Sequence, residues 1–265
     1  MVEDRMNNIL LAFSLTLIAG LSTGTGSLIV LFSKKANAKF LSASLGFSAG
    51  VMVYVSMIEI FSEANESLSS LYGGKTGTLI TFISFMCGMM LIALIDKTIP
   101  ETSPGEAAEN RQAGKTKLMR AGLFTALAMA IHNFPEGIAL FVSVLHQPSA
   151  ALPIVAAIAI HNITAGIAVS APVYYATASK KKTFGLSLAV GLAQPAGALA
   201  GYLILLPFMN DLFNGILFAS AAGIMVFIAL DKLLPAARAY GEQHVSTYGL
   251  IAGMAVMGIS LWLFI

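Results

Sequence analysis

A chain of 265 residues that is 57% hydrophobic and 11% charged, with a mean hydropathy of +0.82, has too much apolar surface for one aqueous core, so its solvent is mostly lipid. Its formal net charge of +2 comes without a continuous basic face, which argues against a nucleic-acid partner. Its single cysteine, Cys87, excludes an internal disulfide and any multi-cysteine metal cluster.

A cleaved leader is not expected at the N-terminus, because Glu3 and Asp4 spoil a basic start and the apolar run after Arg5 is too long. Runs near the ~20 residues that cross a bilayer then follow one another. Residues 6–33, 40–58 and 76–95 carry no charge, and a fourth run from Ala121 is interrupted only by Glu136. Residues 137–179 contain no Asp, Glu, Lys or Arg; that is too long for one span, and HQPSAALP (146–153) supplies a break. Residues 183–210, 212–230 and 245–265 complete the set.

The expected fold is an all-α polytopic membrane protein with eight transmembrane helices. They cover roughly 6–33, 40–62, 74–96, 117–145, 149–178, 183–207, 212–232 and 246–265, in one domain over 1–265 with a polar loop at 97–116. Thirteen of the fifteen Lys and Arg fall in four loops on one side, leaving Arg5 and Lys75 on the other. The positive-inside rule makes those four loops cytoplasmic and both termini extracytoplasmic. The longest of them, ETSPGEAAENRQAGKTK, is expected to be mobile. Small residues in AGLSTGTGS, GFSAG and GLAQPAGALAG suit close helix packing and a substrate path alike.

The unusual residues lie inside the spans. HNFPEGIAL (132–140) is nearly repeated as HNITAGIAV (161–169). An ionisable group at mid-membrane costs about 2.5–3.5 kcal/mol on insertion scales, so such groups usually have a task. His132 and Glu136 are four apart and share a helix face. Pro135 between them frees the Ile131 carbonyl and is expected to kink the helix locally.

Two antiparallel neighbours would bring His132, Glu136 and His161 together, with Asn133 and Asn162 on an adjacent edge. Two imidazoles and a carboxylate suit a borderline divalent ion: zinc, iron(II), manganese(II), cobalt(II) or cadmium. The plainer alternative is a buried His–Glu pair that ties two helices together. Neither the His-Glu-x-x-His string of a metalloprotease nor the Gly-x-Ser-x-Gly of a serine hydrolase occurs, so no enzyme is expected. Glu59 and Glu63 fall at the outer end of the second span, where they either draw cations inward or simply face water. Asp96-Lys97 and Asp231-Lys232 recur as DKTIP and DKLLP at inner helix ends, and His244 falls in the last inner loop.

The two His-Asn segments, AGLSTGTGSLIVLF (19–32), GFSAGVMVYVSMIEI (46–60), APVYYAT (171–177) and GIMVFIALDKLLPAA (223–237) together resemble the ZRT/IRT-like (ZIP) divalent metal transporters, most closely their bacterial zinc-transporting branch. The resemblance covers almost the whole chain. It implies an eight-helix bundle in the cell membrane, a homodimer, and uptake of zinc and related ions as transported substrate, with no cofactor. By this resemblance His132, Glu136 and His161 match a first metal position, and Asn133 and Asn162, with Glu136 bridging, match a second.

The chain departs from that pattern at three places. Thr164-Ala165 stands where the family has Pro-Glu, Gln194 where it has a glutamate, and Lys232 where many relatives have Glu. With one carboxylate left, two divalent ions would be far from neutral in low dielectric, so one bound metal is expected. Gln194 retains an uncharged oxygen for a metal. The expected route passes Glu59, the His132–Glu136–His161 site, then Gln194 and Asp231, as two helix bundles rock about the site. No nucleotide motif is present, so gradients or proton exchange drive it. The competing reading is a metal-binding sensor or a transport-impaired variant.

Overall fold

The computed structural model describes residues 2–32, 38–97, 111–146, 148, 151–205, 210–240 and 243–264. The described residues are helical almost throughout. In chain order the helices are α1 (Val2–Phe32), α2 (Ala38–Tyr54), α3 (Phe61–Tyr72), α4 (Gly74–Lys97), α5 (Arg111–His146), α6 (Ala151–Thr177), α7 (Lys180–Ala200), α8 (Asp211–Phe227), α9 (Leu234–Tyr240) and α10 (Gln243–Phe264). A π turn at Val55–Ile60 joins α2 to α3, and another at Ile228–Leu233 joins α8 to α9; a third, Gly201–Leu205, extends α7. Among the described residues eight stretches are long and apolar enough to cross a membrane. The 97–116 loop and the SKKANAK turn lie largely outside the described residues, and the HQPSAALP break and the end of the sixth span in part.

Two spans run further than the sequence suggested. The second continues to Tyr72 and the seventh to Ala239. SEANESLSS looks like a loop by its polarity, but it is an amphipathic turn of helix that buries Ala64 and Leu68. The consequence is a correction: Glu59 is not at a helix end but inside a continuous span. His244 likewise belongs to the exposed first turn of α10 rather than to a loop. Gly73, at φ 80°, ends α3 and turns the chain straight into α4. Ser179 and Asn210 cap α7 and α8, Asn210 Oδ1 accepting from the Phe213 amide at 2.8 Å.

The helices sort into two bundles. α1, α5, α6 and α7 pack mainly on one another, while α2, α3, α4, α8, α9 and α10 form the other group. Contacts of α2 with α6 and of α5 with α8 join them. In lipid no hydrophobic force holds helix to helix, so close van der Waals contact and hydrogen bonds must. A Cβ at Gly137 would overlap the Gln194 carbonyl of α7, and one at Gly197 would overlap the Phe134 carbonyl of α5. The two glycines therefore let α5 and α7 touch backbone to backbone beside Glu136. Ser187 Oγ donates to the Thr23 carbonyl at 2.8 Å, and Ser48 Oγ donates to the Thr164 carbonyl at 2.7 Å, the latter across the two bundles. Leu45, Met52, Met129, Met225 and Ile228 form the centre of an apolar cluster shared by both bundles.

Candidate metal centre

α5 and α6 run antiparallel and deliver the two His-Asn segments to the same depth. α5 passes through Pro135 without ending, so the proline sits inside a continuous helix. One turn of α5 sets His132 above Glu136, with His132 Nε2 at 3.9 Å from Glu136 Oε2. α6 brings His161 Nε2 to 3.3 Å from His132 Nε2, the rings meeting edge to face. All three side chains are buried: 0%, 6% and 1% exposed for His132, Glu136 and His161.

The spacing suits a metal. Two nitrogens at ~2.0–2.1 Å from a tetrahedral zinc sit about 3.3–3.4 Å apart, and the two imidazoles are at 3.3 Å. One ligand atom from each residue can be chosen so that all lie within 4.8 Å of one another. A pure hydrogen bond between the rings would satisfy only one nitrogen of each. Glu136 Oε2, His132 Nδ1 and His161 Nδ1 are buried and have no hydrogen-bond partner. Leaving a buried polar group unpaired costs about 1–3 kcal/mol, which a merely structural His–Glu tie would not repay.

The carboxamides each bond through one end and leave the other bare: Asn133 Oδ1, Asn162 Oδ1 and Gln194 Nε2 are also buried without a hydrogen-bond partner. Asn133 Nδ2 donates to the Val190 carbonyl at 3.1 Å. Asn162 Nδ2 donates to the Ala19 carbonyl and to Gln194 Oε1, both at 2.7 Å. Gln194 thus turns its oxygen to Asn162, and the two amides tie α6 to α7. Ala165 is fully buried in the shared apolar cluster. The structure therefore brings His132, Glu136 and His161 into one group, and sets Asn133, Asn162 and Gln194 beside it in helix-to-helix bonds.

A cavity of roughly 630 Å³, counting the solvent at its mouth, reaches this group. Its walls include His132, Pro135, Glu136 and His161 from one bundle and Val55, Glu59 and Phe218 from the other. Glu63, Ser143 and Phe218 line both this cavity and a second one further out, which Ser67, Asp211 and Asn214 border. Sequence reasoning did not choose Ser143, Ser67 or Asp211. The signal was there for two of them: Ser143 is seven residues past Glu136, and Glu59, Glu63 and Ser67 are each four apart, so each set marks one helix face.

Lys232 closes the opposite end. Its Nζ lies 2.7 Å from Asp96 Oδ2, 2.9 Å from Asp231 Oδ2 and 4.6 Å from the centroid of the Phe124 ring. The aspartates of the two Asp-Lys pairs seen in sequence thus meet on one lysine, Lys232.

The family pattern for the ZIP zinc transporter matches residues 100–261. "Zinc transporter ZupT" of Clostridium perfringens is 56% identical over 281 aligned positions that cover 99% of each chain. Proteins of the same name from Oceanobacillus iheyensis and Nitratidesulfovibrio vulgaris are 57% and 46% identical, over 97% and 100% of this chain and 99% and 100% of theirs. The chain belongs to the ZIP transporter family. The all-helical architecture with eight membrane-crossing stretches agrees with a ZIP bundle, and the chain is a membrane protein. Within this ZIP chain the departures take a physical form: Ala165 is packed among apolar side chains, and Gln194 is held by Asn162.

Proposed function

We propose that this chain is a permease, not an enzyme, that carries zinc across the cell membrane into the cytoplasm, one ion per chain at a time. Iron(II), manganese(II), cobalt(II) and cadmium are further ions that the same donors suit. The observation that supports this most is the meeting of two imidazoles and one carboxylate, with unsatisfied polar atoms, at the end of a cavity. The kinship with proteins named as zinc transporters supports the choice of zinc.

In this reading the ion enters past Asp211, Glu63 and Glu59, whose charges raise its local concentration. It sheds water onto His132, Glu136 and His161. Both termini face outward, by the charge bias of the loops. Beyond the site, Met129 on α5, Ala168 on α6 and Met225 on α8 are buried in the shared cluster, so release inward needs one bundle to move against the other. A homodimer and placement in the cell membrane belong to the same proposal.

Zinc uptake into proteoliposomes tests it. Wild type should accumulate zinc down its gradient, and His132→Ala or Glu136→Ala should lower the rate at least tenfold, since each removes a donor worth more than the roughly 10–100-fold of an outer-shell partner. Saturable zinc binding without influx would instead make the chain a sensor.

A further inference from the structure

The proposed site has a charge deficit. A divalent ion on His132, Glu136 and His161 keeps one uncompensated positive charge, and such a charge in low dielectric is costly. Neither Ala165 nor Gln194 supplies a carboxylate from the first bundle. Three donors also leave a tetrahedral ion one ligand short.

Glu59 answers both needs from the second bundle. It lies in the π turn Val55–Ile60, the one irregular turn of the second span. π turns inside longer helices often mark functional sites, because the extra residue re-aims a side chain. Glu59 is half-buried and lines the same cavity as His132, Glu136 and His161. Its carboxylate lies outside the group whose ligand atoms are within 4.8 Å of one another, so it joins that group by a movement across the cavity. Glu59 and Glu136 line one cavity, and two carboxylates that share a site disfavour each other's charge unless a cation lies between them. Glu136 Oε2, on a residue 6% exposed, has no hydrogen-bond partner to offset such a charge.

We propose that Glu59 is the fourth ligand and second negative charge of the metal site, contributed by the bundle opposite the histidines. The ion then bridges the two bundles, and this contact is the one that must break when they part. Neutrality is reached with Glu59 and Glu136 in place of the family's missing carboxylates, so a single ion suffices.

The inference rests on the metal site proposed above, and equilibrium binding separates the two. Purified full-length protein in detergent is titrated with zinc, as wild type, Glu59→Gln and Glu136→Gln. Glu59→Gln should weaken zinc binding by roughly 10–100-fold, with little dependence on salt. If Glu59 only steers ions, its loss slows uptake at low ionic strength, high salt erases the deficit, and equilibrium affinity stays at the wild-type value; that result overturns the proposal. Unchanged affinity in Glu59→Gln beside lost binding in Glu136→Gln overturns the role of Glu59 alone, whereas unchanged binding in Glu136→Gln overturns the site itself. Should Glu59→Gln fail to fold, Glu59→Asp keeps the charge and shortens the reach. It should lower affinity and shift the visible spectrum of bound cobalt(II), and wild-type affinity with an unshifted spectrum overturns ligation.

Discussion

The chemistry of the site turns on single atoms. A histidine pair with Nε2 atoms 3.3 Å apart and a carboxylate oxygen without a partner is the arrangement that, in the proposed site, a cation would complete. These residues were legible in the sequence, because the i, i+4 spacing and the repeated His-Asn fix them to one face of each helix. What the sequence left open was where Asn162 and Gln194 point. A side chain with both donor and acceptor can face a metal or a neighbour, and here Asn162 donates to Gln194 and to a backbone carbonyl. The gap at Ala165 has a further cost that pattern alone hides. The residue is fully buried among apolar side chains, so Ala165→Glu overpacks the cluster by about 1–3 kcal/mol and buries a charge besides. Ala165→Glu should therefore melt at a lower temperature than wild type without metal, and zinc should raise its melting temperature by more than it raises that of wild type. A variant whose zinc stoichiometry and zinc-dependent melting both match wild type would refute the charge account of the missing glutamate.

Helices carry these residues only because they approach closely. Gly137 and Gly197 set α5 on α7 directly beside Glu136. Gly137→Leu should separate the two backbones, destabilise the protein by about 1–3 kcal/mol or more, and weaken zinc binding although no ligand is touched. Thermal melting and zinc titration of the same preparation check this, and wild-type values for both would mean that the approach does not position the site. At this scale the apolar runs foretold the eight stretches, since length and hydropathy decide what can span lipid. They misjudged the second span. The run of uncharged residues ends at Ile58, yet the helix continues to Tyr72, because one face of its later turns buries Ala64 and Leu68 and lines a cavity with Glu63 and Ser67. A hydropathy rule that assumes lipid on every side cannot see such a helix, and it is this extension that carries Glu59 into the interior. The π turns escape sequence reasoning for another reason: nothing in VSMIEI distinguishes an inserted residue from ordinary helix.

Among the described residues a cavity opens at one end of the molecule and side chains pack the other. The cavity runs outward past Glu59 and Glu63 towards Asp211, whereas apolar packing and the Asp96–Lys232–Asp231 cluster fill the far end. Lys232 reaches the first bundle only through the face of Phe124 in the described contacts. A partly exposed ion cluster is worth about 0–1 kcal/mol, and an exposed cation–π contact about 0.5–1 kcal/mol. Lys232→Met should thus change the uptake rate by no more than about 30-fold, as the two contacts together reach about 2 kcal/mol and roughly 1.4 kcal/mol makes a factor of ten, and leave zinc affinity at the core unchanged. A total loss of uptake would mean that Lys232 is part of the path rather than a clasp at its end. The central claim is that one divalent ion is held at His132, Glu136 and His161, where the first bundle faces the cavity between the two. Anomalous scattering at the zinc edge, from crystals of the zinc-loaded protein, tests it most directly. The account predicts one core peak per chain, within about 2.0–2.2 Å of His132 Nε2, His161 Nε2 and a Glu136 oxygen. Two fully occupied core peaks, or a peak that leaves these three atoms out, would contradict it.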